Sequence, residues 1–272
     1  MVARMNRAVV LAIASRDLRV VARSRALVIP LVVVPAVLLL TPPLTLVIAN
    51  SVPDSLAAEL APLLTRLPAD LSARLPAEPA HAAVVLLLIY VFAPLYLLVP
   101  VMVASMTAAD SVVGERQRRT LEGLLHGPTT DGELLLGKVL MPWIMAVVVA
   151  VMGAVAYGAV ANLVLAQYGL PASFPNRVWV VLVVWVSPAA AAFGVGLIVV
   201  LSARVKTFHE ASQVAGIVVL PIVGLVVAQA AGLVLFDVAL LSLLGSLLWL
   251  LTLLLLRVAG RNFRRDRLLT RD

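Results

Sequence analysis

The chain has no cysteine, which excludes disulfides, thiolate metal sites and cysteine nucleophiles. Charged residues are scarce, 13% of 272, where a soluble domain carries roughly 25%. Hydrophobic residues reach 62% and mean hydropathy is +1.09, too apolar for one core beneath a water-facing surface. A soluble enzyme is excluded and a membrane protein of several helices is implied. Lysine is nearly missing, with Lys138 and Lys206 the two present, a bias read as codon usage and not as chemistry. Aromatics are 5%, thin for a sugar pathway that stacks rings, so an apolar or amphiphilic cargo fits better. The net charge of +7 is spread over short segments beside apolar runs, which argues against nucleic acid and for a lipid bilayer as partner.

What is abundant is apolar sequence in lengths that suit a membrane. A bilayer core of about 30 Å needs about 20 apolar residues per helix. Six runs qualify: Ala26–Ala49, Ala82–Met106, Val139–Leu165, Val178–Leu201, Val214–Phe236 and Val238–Val258. The last two are divided by Asp237 alone, predicting a tight hairpin or a broken, re-entrant pair. Pro30, Pro35, Pro42 and Pro43 in the first run and Pro94 and Pro100 in the second predict kinks, which neighbouring helices can satisfy. The fold class expected is an all-α integral membrane protein with six transmembrane helices.

Basic residues set the orientation. Eighteen of them fall in the amino end, the loops after the second and fourth runs, and the carboxyl tail. Arg66, Arg74 and Arg177 are the three on the other side. Both termini are therefore expected in the cytoplasm. The amino end does not read as a cleavable signal, because its apolar run is too long and lacks a small-residue cleavage pattern. No soluble domain is expected at either end.

Before the first run, Val10, Ala14, Leu18 and Val21 share one helical face, with Arg16, Arg19 and Arg23 opposite. This predicts an amphipathic helix in the cytoplasmic interface, serving as an anchor or as a lever to a cytoplasmic partner. The tail, with Arg257, Arg261 and Arg264 at helical spacing, reads as an anchor. Residues 51–81 predict one or two short helices on the outer side.

The loop Ala109–Lys138 carries most information. Val113, Gln117, Leu121, Leu124 and Leu125 fall on one helical face, and Glu115, Arg118, Arg119, Glu122 and His126 on the other. Gly127-Pro128 ends this helix, and Thr130 with Glu133 forms a capping box for the next. An amphipathic helix between two membrane helices is either a solvated surface element or a dock for a soluble protein.

Within the loop, Gly132 to Val139 nearly spells the phosphate-binding pattern G-x-x-x-x-G-K-[ST]. Val139 replaces the magnesium-binding hydroxyl, no buried strand precedes it, and residues 133–136 favour helix. The chain is thus expected to hydrolyse no ATP itself. No ionisable residue is evident mid-membrane, which disfavours an ion-coupled carrier. Met102, Met106, Met141 and Met145 suit gap-filling before a copper(I) role; no metal site is assigned. Ala150, Ala154, Gly158 and Asn162 recur every fourth residue and predict close helix packing. Tyr90, Tyr96, Tyr157, Asn162, Trp185 and Gln229 are the groups available to a substrate pathway, while Trp179 reads as part of an interfacial aromatic belt.

Gly114-Glu115-Arg116, Thr120 to Leu125, Pro128 and Gly137-Lys138 together resemble the signature of ABC-2 superfamily permeases, the membrane subunits of type V ATP-binding-cassette exporters, including sodium-extrusion and drug-efflux branches. The outline of the whole chain is similar too. The resemblance implies a single ABC-2 type transmembrane domain over 1–272: a connecting helix over 1–25, a six-span bundle over 26–258 and a basic tail over 259–272. It implies that the helix around Glu115–His126 is a coupling helix, with Glu115, Arg119, Thr120, Leu121 and Glu122 facing an ATPase, and that Arg16, Arg19 and Arg23 lie on a connecting helix touching it too. Implied partners are two copies of a soluble ABC ATPase, carrying ATP and magnesium, and a second permease subunit, identical or not. No cofactor is implied for this chain, and the location implied is the bacterial inner membrane. The short joint at Asp237 departs from relatives with longer outer helices. Alternatives are a passive channel or secondary carrier without an ATPase, and a copper-linked permease.

Overall fold

The computed structural model describes residues 7–49, 54–65, 75–114, 130–202, 219–230 and 237–262, with isolated positions between them. Every regular element among the described residues is helical. We number them α1 (Arg7–Arg23), α2 (Arg25–Ala49), α3 (Asp54–Thr65), α4 (Pro79–Gly114), α5 (Asp131–Gln167), α6 (Arg177–Leu201), α7 (Val219–Ala230) and α8 (Val238–Asn262). Helices α2, α4, α5, α6 and α8 are long and apolar enough to cross a membrane. Of the expected fifth run, the 12 residues of α7 are described, and the isolated position Gly216 before it is helical too.

α4 is the axis of the bundle: 78% of its apolar window is buried, against 17% in α8. It packs on α5 and α6; α6 packs on α8, and α5 also carries α1 and α2. The faces left open are aliphatic, as with Met152, Val155 and Leu163 of α5 and Leu243 and Leu250 of α8. In water they would be unfavourable; in lipid they need no partner.

Two long helices are interrupted near prolines. In α4, Leu87–Val91 widens into a π-turn, in which the Phe92 N–H donates to the Leu87 carbonyl, and Pro94 follows. In α6, the π-turn Leu182–Val186 precedes Pro188. Missing proline N–H groups and such turns are the recognised causes of a kinked helix. By contrast α2 holds its four internal prolines within continuous helix.

The predicted boundaries have visible causes. Thr130 accepts from the Glu133 N–H at 3.3 Å while the Thr130 N–H donates to Glu133 Oε2 at 2.9 Å, completing the expected capping box of α5. Asn176 caps α6 through the Trp179 N–H at 3.0 Å. Asp237 accepts from the Leu240 N–H at 2.7 Å, so the residue expected as a joint is the cap of α8.

The small-residue stripe on α5 is a packing seam. Ala150 and Ala154 are buried. A Cβ on Gly158 would lie 2.1 Å from the Phe174 ring, so only glycine fits there. Asn162 grips the Phe174 backbone from both sides, donating to its carbonyl at 2.9 Å and accepting from its N–H at 3.1 Å.

Candidate functional site

Two polar constructions stand out in this apolar bundle. The first lies where α1 meets the ends of α4 and α5. Lys138 is completely buried, and its Nζ donates to Asp17 Oδ2 at 2.8 Å. Ser111 Oγ donates to the same oxygen at 2.9 Å. One carboxylate oxygen therefore joins α1, the last π-turn of α4 (Asp110–Gly114) and the second turn of α5. One turn along α1 from Asp17, Ile13 presses on Gly137, where an added Cβ would come within 2.7 Å. Removing one partner of a buried ion pair costs about 3–5 kcal/mol, because the other is left unpaired.

The junction corrects two expectations. The buried stripe of α1 is Val10, Ile13, Ala14, Asp17 and Val21, whereas Leu18 is 42% exposed. Asp17 takes the inward position because Lys138 waits there, which rotates the helix away from the purely apolar face. Lys138, expected among loop basic residues, is inside α5 and sequestered. The run Gly132 to Val139 is continuous helix, so it forms no phosphate-cradling loop.

Of the expected coupling residues, Arg16 lies beside Asp17, with Nη1 3.9 Å from Oδ1. Arg19 is exposed, its Nε donating to the Ser15 carbonyl at 3.3 Å, and Arg23 is exposed at the end of α1. Glu115, Arg119, Thr120, Leu121 and Glu122 lie outside the described residues, as does the stretch expected to form their helix.

The second construction surrounds the broken part of α4. The Tyr157 hydroxyl donates to the Leu88 carbonyl at 2.6 Å and the Trp179 indole to the Ile89 carbonyl at 2.8 Å. Gln229 Nε2 donates to the Tyr90 carbonyl. That carbonyl would bond the N–H four residues on, but residue 94 is proline and has none. Three successive carbonyls are thus served by side chains of α5, α6 and α7. Trp179 is the hub: it stacks on Tyr157 with centroids 4.7 Å apart, and Phe174 and Tyr96 pack on it at 4.8 and 5.4 Å. Trp179 is fully buried, not part of an interfacial belt.

The expected pathway residues do not share one surface. Tyr90, Tyr96, Tyr157 and Gln229 are buried around the α4 break, with Tyr96 Oη 3.4 Å from Ser187 Oγ. Asn162 holds Phe174. Trp185 is 44% exposed, packs near Trp249 and donates to the Ser242 carbonyl at 3.4 Å.

Compared with known families, residues 11–256 match the ABC-2 family transporter protein family, from α1 through most of α8. The chain belongs to the ABC-2 transporter family. This ABC-2 permease is accordingly a multi-pass membrane protein, and permeases of its family in general work with an ABC ATPase. No curated protein matches the permease. What sequence reasoning missed in it is Asp17 and Ser111. Neither has a local signal, since the partners are 94 and 121 positions apart in the chain.

Proposed function

We propose that the chain is the permease subunit of an ATP-binding-cassette exporter that moves an apolar or amphiphilic substrate, with ATP hydrolysed by a separate subunit. The observation that carries this reading is the fate of the phosphate-loop-like run. In a family that works with an ABC ATPase, its Lys138 is buried against Asp17 and its Gly137 against Ile13, so neither is available to a nucleotide. The working unit has two permease and two ATPase subunits, in a bacterial inner membrane with both termini cytoplasmic. ATP closes the ATPase pair, the 115–129 segments move with it, and helices α2, α4 and α7 shift to open an outward path.

Purification of the tagged permease from its native membrane tests this. A soluble ATPase is expected to accompany it, and vesicles holding both are expected to move substrate only with ATP. Flux without ATP and without any bound ATPase would instead mark a channel or secondary carrier. Reversing both charges, Arg119→Glu with Glu122→Arg, is expected to lower ATPase co-purification by roughly tenfold, equivalent to about 1.4 kcal/mol, with membrane insertion unchanged. Equal co-purification would remove the docking role.

A further inference from the structure

α1 has an apolar way to hold the bundle: Val10, Ala14 and Val21 are buried, and Ile13 seats on Gly137. A buried ion pair adds little stability beyond what apolar packing gives; its best-attested use is to fix a register or a switch. The position of this pair in the chain says what it registers. α4 ends at Gly114, one turn past Ser111, and α5 begins at Asp131, two turns before Lys138. The helices on either side of residues 115–129 therefore hold the same oxygen of Asp17, α4 through Ser111 and α5 through Lys138. The other oxygen, Oδ1, is buried and accepts no hydrogen bond. Arg16 Nη1 lies 3.9 Å from that oxygen, so the carboxylate faces a cation on each side. Ser111 itself sits in a π-turn, a wider and less regular backbone than the helix before it.

We propose that Asp17 is the positioning residue that passes motion of the 115–129 segment to α1, so that the interfacial helix and both roots of the segment move as one body. The inference rests on the coupling reading above and adds the route by which the work leaves the loop.

The cysteine-free chain allows a direct test. Spin labels at Leu11→Cys on α1 and Leu163→Cys at the far end of α5, both exposed positions, report where α1 sits on the bundle. The labelled permease in nanodiscs, without nucleotide, is expected to give one narrow distance. Asp17→Asn and Lys138→Met are each expected to broaden it, and the exchange Asp17→Lys with Lys138→Asp to restore it. Where Lys138→Met fails to insert, Asp17→Asn, which keeps the side-chain shape, carries the comparison. With the co-purified ATPase, ATP and vanadate are expected to shift the distance in the parent and in the exchanged pair. In the single variants that shift is expected to be lost while ATP is still hydrolysed. Single variants that keep the narrow distance, or that shift as the parent does, would overturn the proposal. If no ATPase binds, or nucleotide moves no label in the parent, the coupling reading fails instead. The junction is then judged by the nucleotide-free distances alone.

Discussion

A lysine with no solvent exposure needs an acceptor at its ammonium, and in this chain the acceptor comes from a helix more than a hundred residues upstream. The same economy governs Tyr157, whose ring packs on Trp179 while its hydroxyl serves the Leu88 carbonyl. Tyr157→Phe keeps the ring and removes the donor, leaving a buried carbonyl one partner short. It is expected to destabilise the permease by about 1 kcal/mol, seen as a lower melting temperature in nanodiscs. An unchanged melting temperature would show that the carbonyl finds another donor. The residue types at both polar sites were legible in the sequence, but their partners were not. Pairings such as Asp17 with Lys138, or Trp179 with Ile89, depend on how distant helices meet. Nothing in the neighbouring residues encodes them.

Elements were read far better than pairings, because their causes are local. Thr130 and Glu133 announce the start of α5 three residues apart, and the capping box is there. Thr130→Ala is expected to cost about 1 kcal/mol at that end, so that amide exchange over the first turn of α5 quickens by about fivefold. Exchange unchanged from the parent would mean that the turn is held by packing alone. The face of α1 was misread at Leu18 for the opposite reason. Apolar periodicity cannot anticipate that an aspartate will turn inward to meet a lysine. The fifth apolar run was legible as hydrophobic, and the part of it that is described, Val219–Ala230, is helix. Gln229, near its end, donates to the Tyr90 carbonyl of α4, a bond between elements that no period announces.

On the scale of the molecule, composition alone required a membrane, and the aliphatic faces of α5 and α8 agree. The orientation is testable with single cysteines in the cysteine-free chain. Ala8→Cys in α1 and Ala172→Cys in the connection before α6 are both exposed, and α2, α4 and α5 lie between them. A membrane-impermeant maleimide applied to intact cells is expected to label Ala172→Cys, and to reach Ala8→Cys only after permeabilisation. Labelling of both from outside would refute three crossings between them.

The length of α5 has a mechanical corollary. Its 37 residues make a rod of about 55 Å, while the hydrocarbon it crosses is about 30 Å thick. The helix exceeds that thickness by about 25 Å, and Lys138 is moored to α1 two turns from its start. Tilting such a rod by about 10° around its midpoint sweeps each tip through about 5 Å. The helix is continuous from Asp131 to Gln167 across Pro142, so a tilt at the moored tip displaces the opposite end by the width of a side chain.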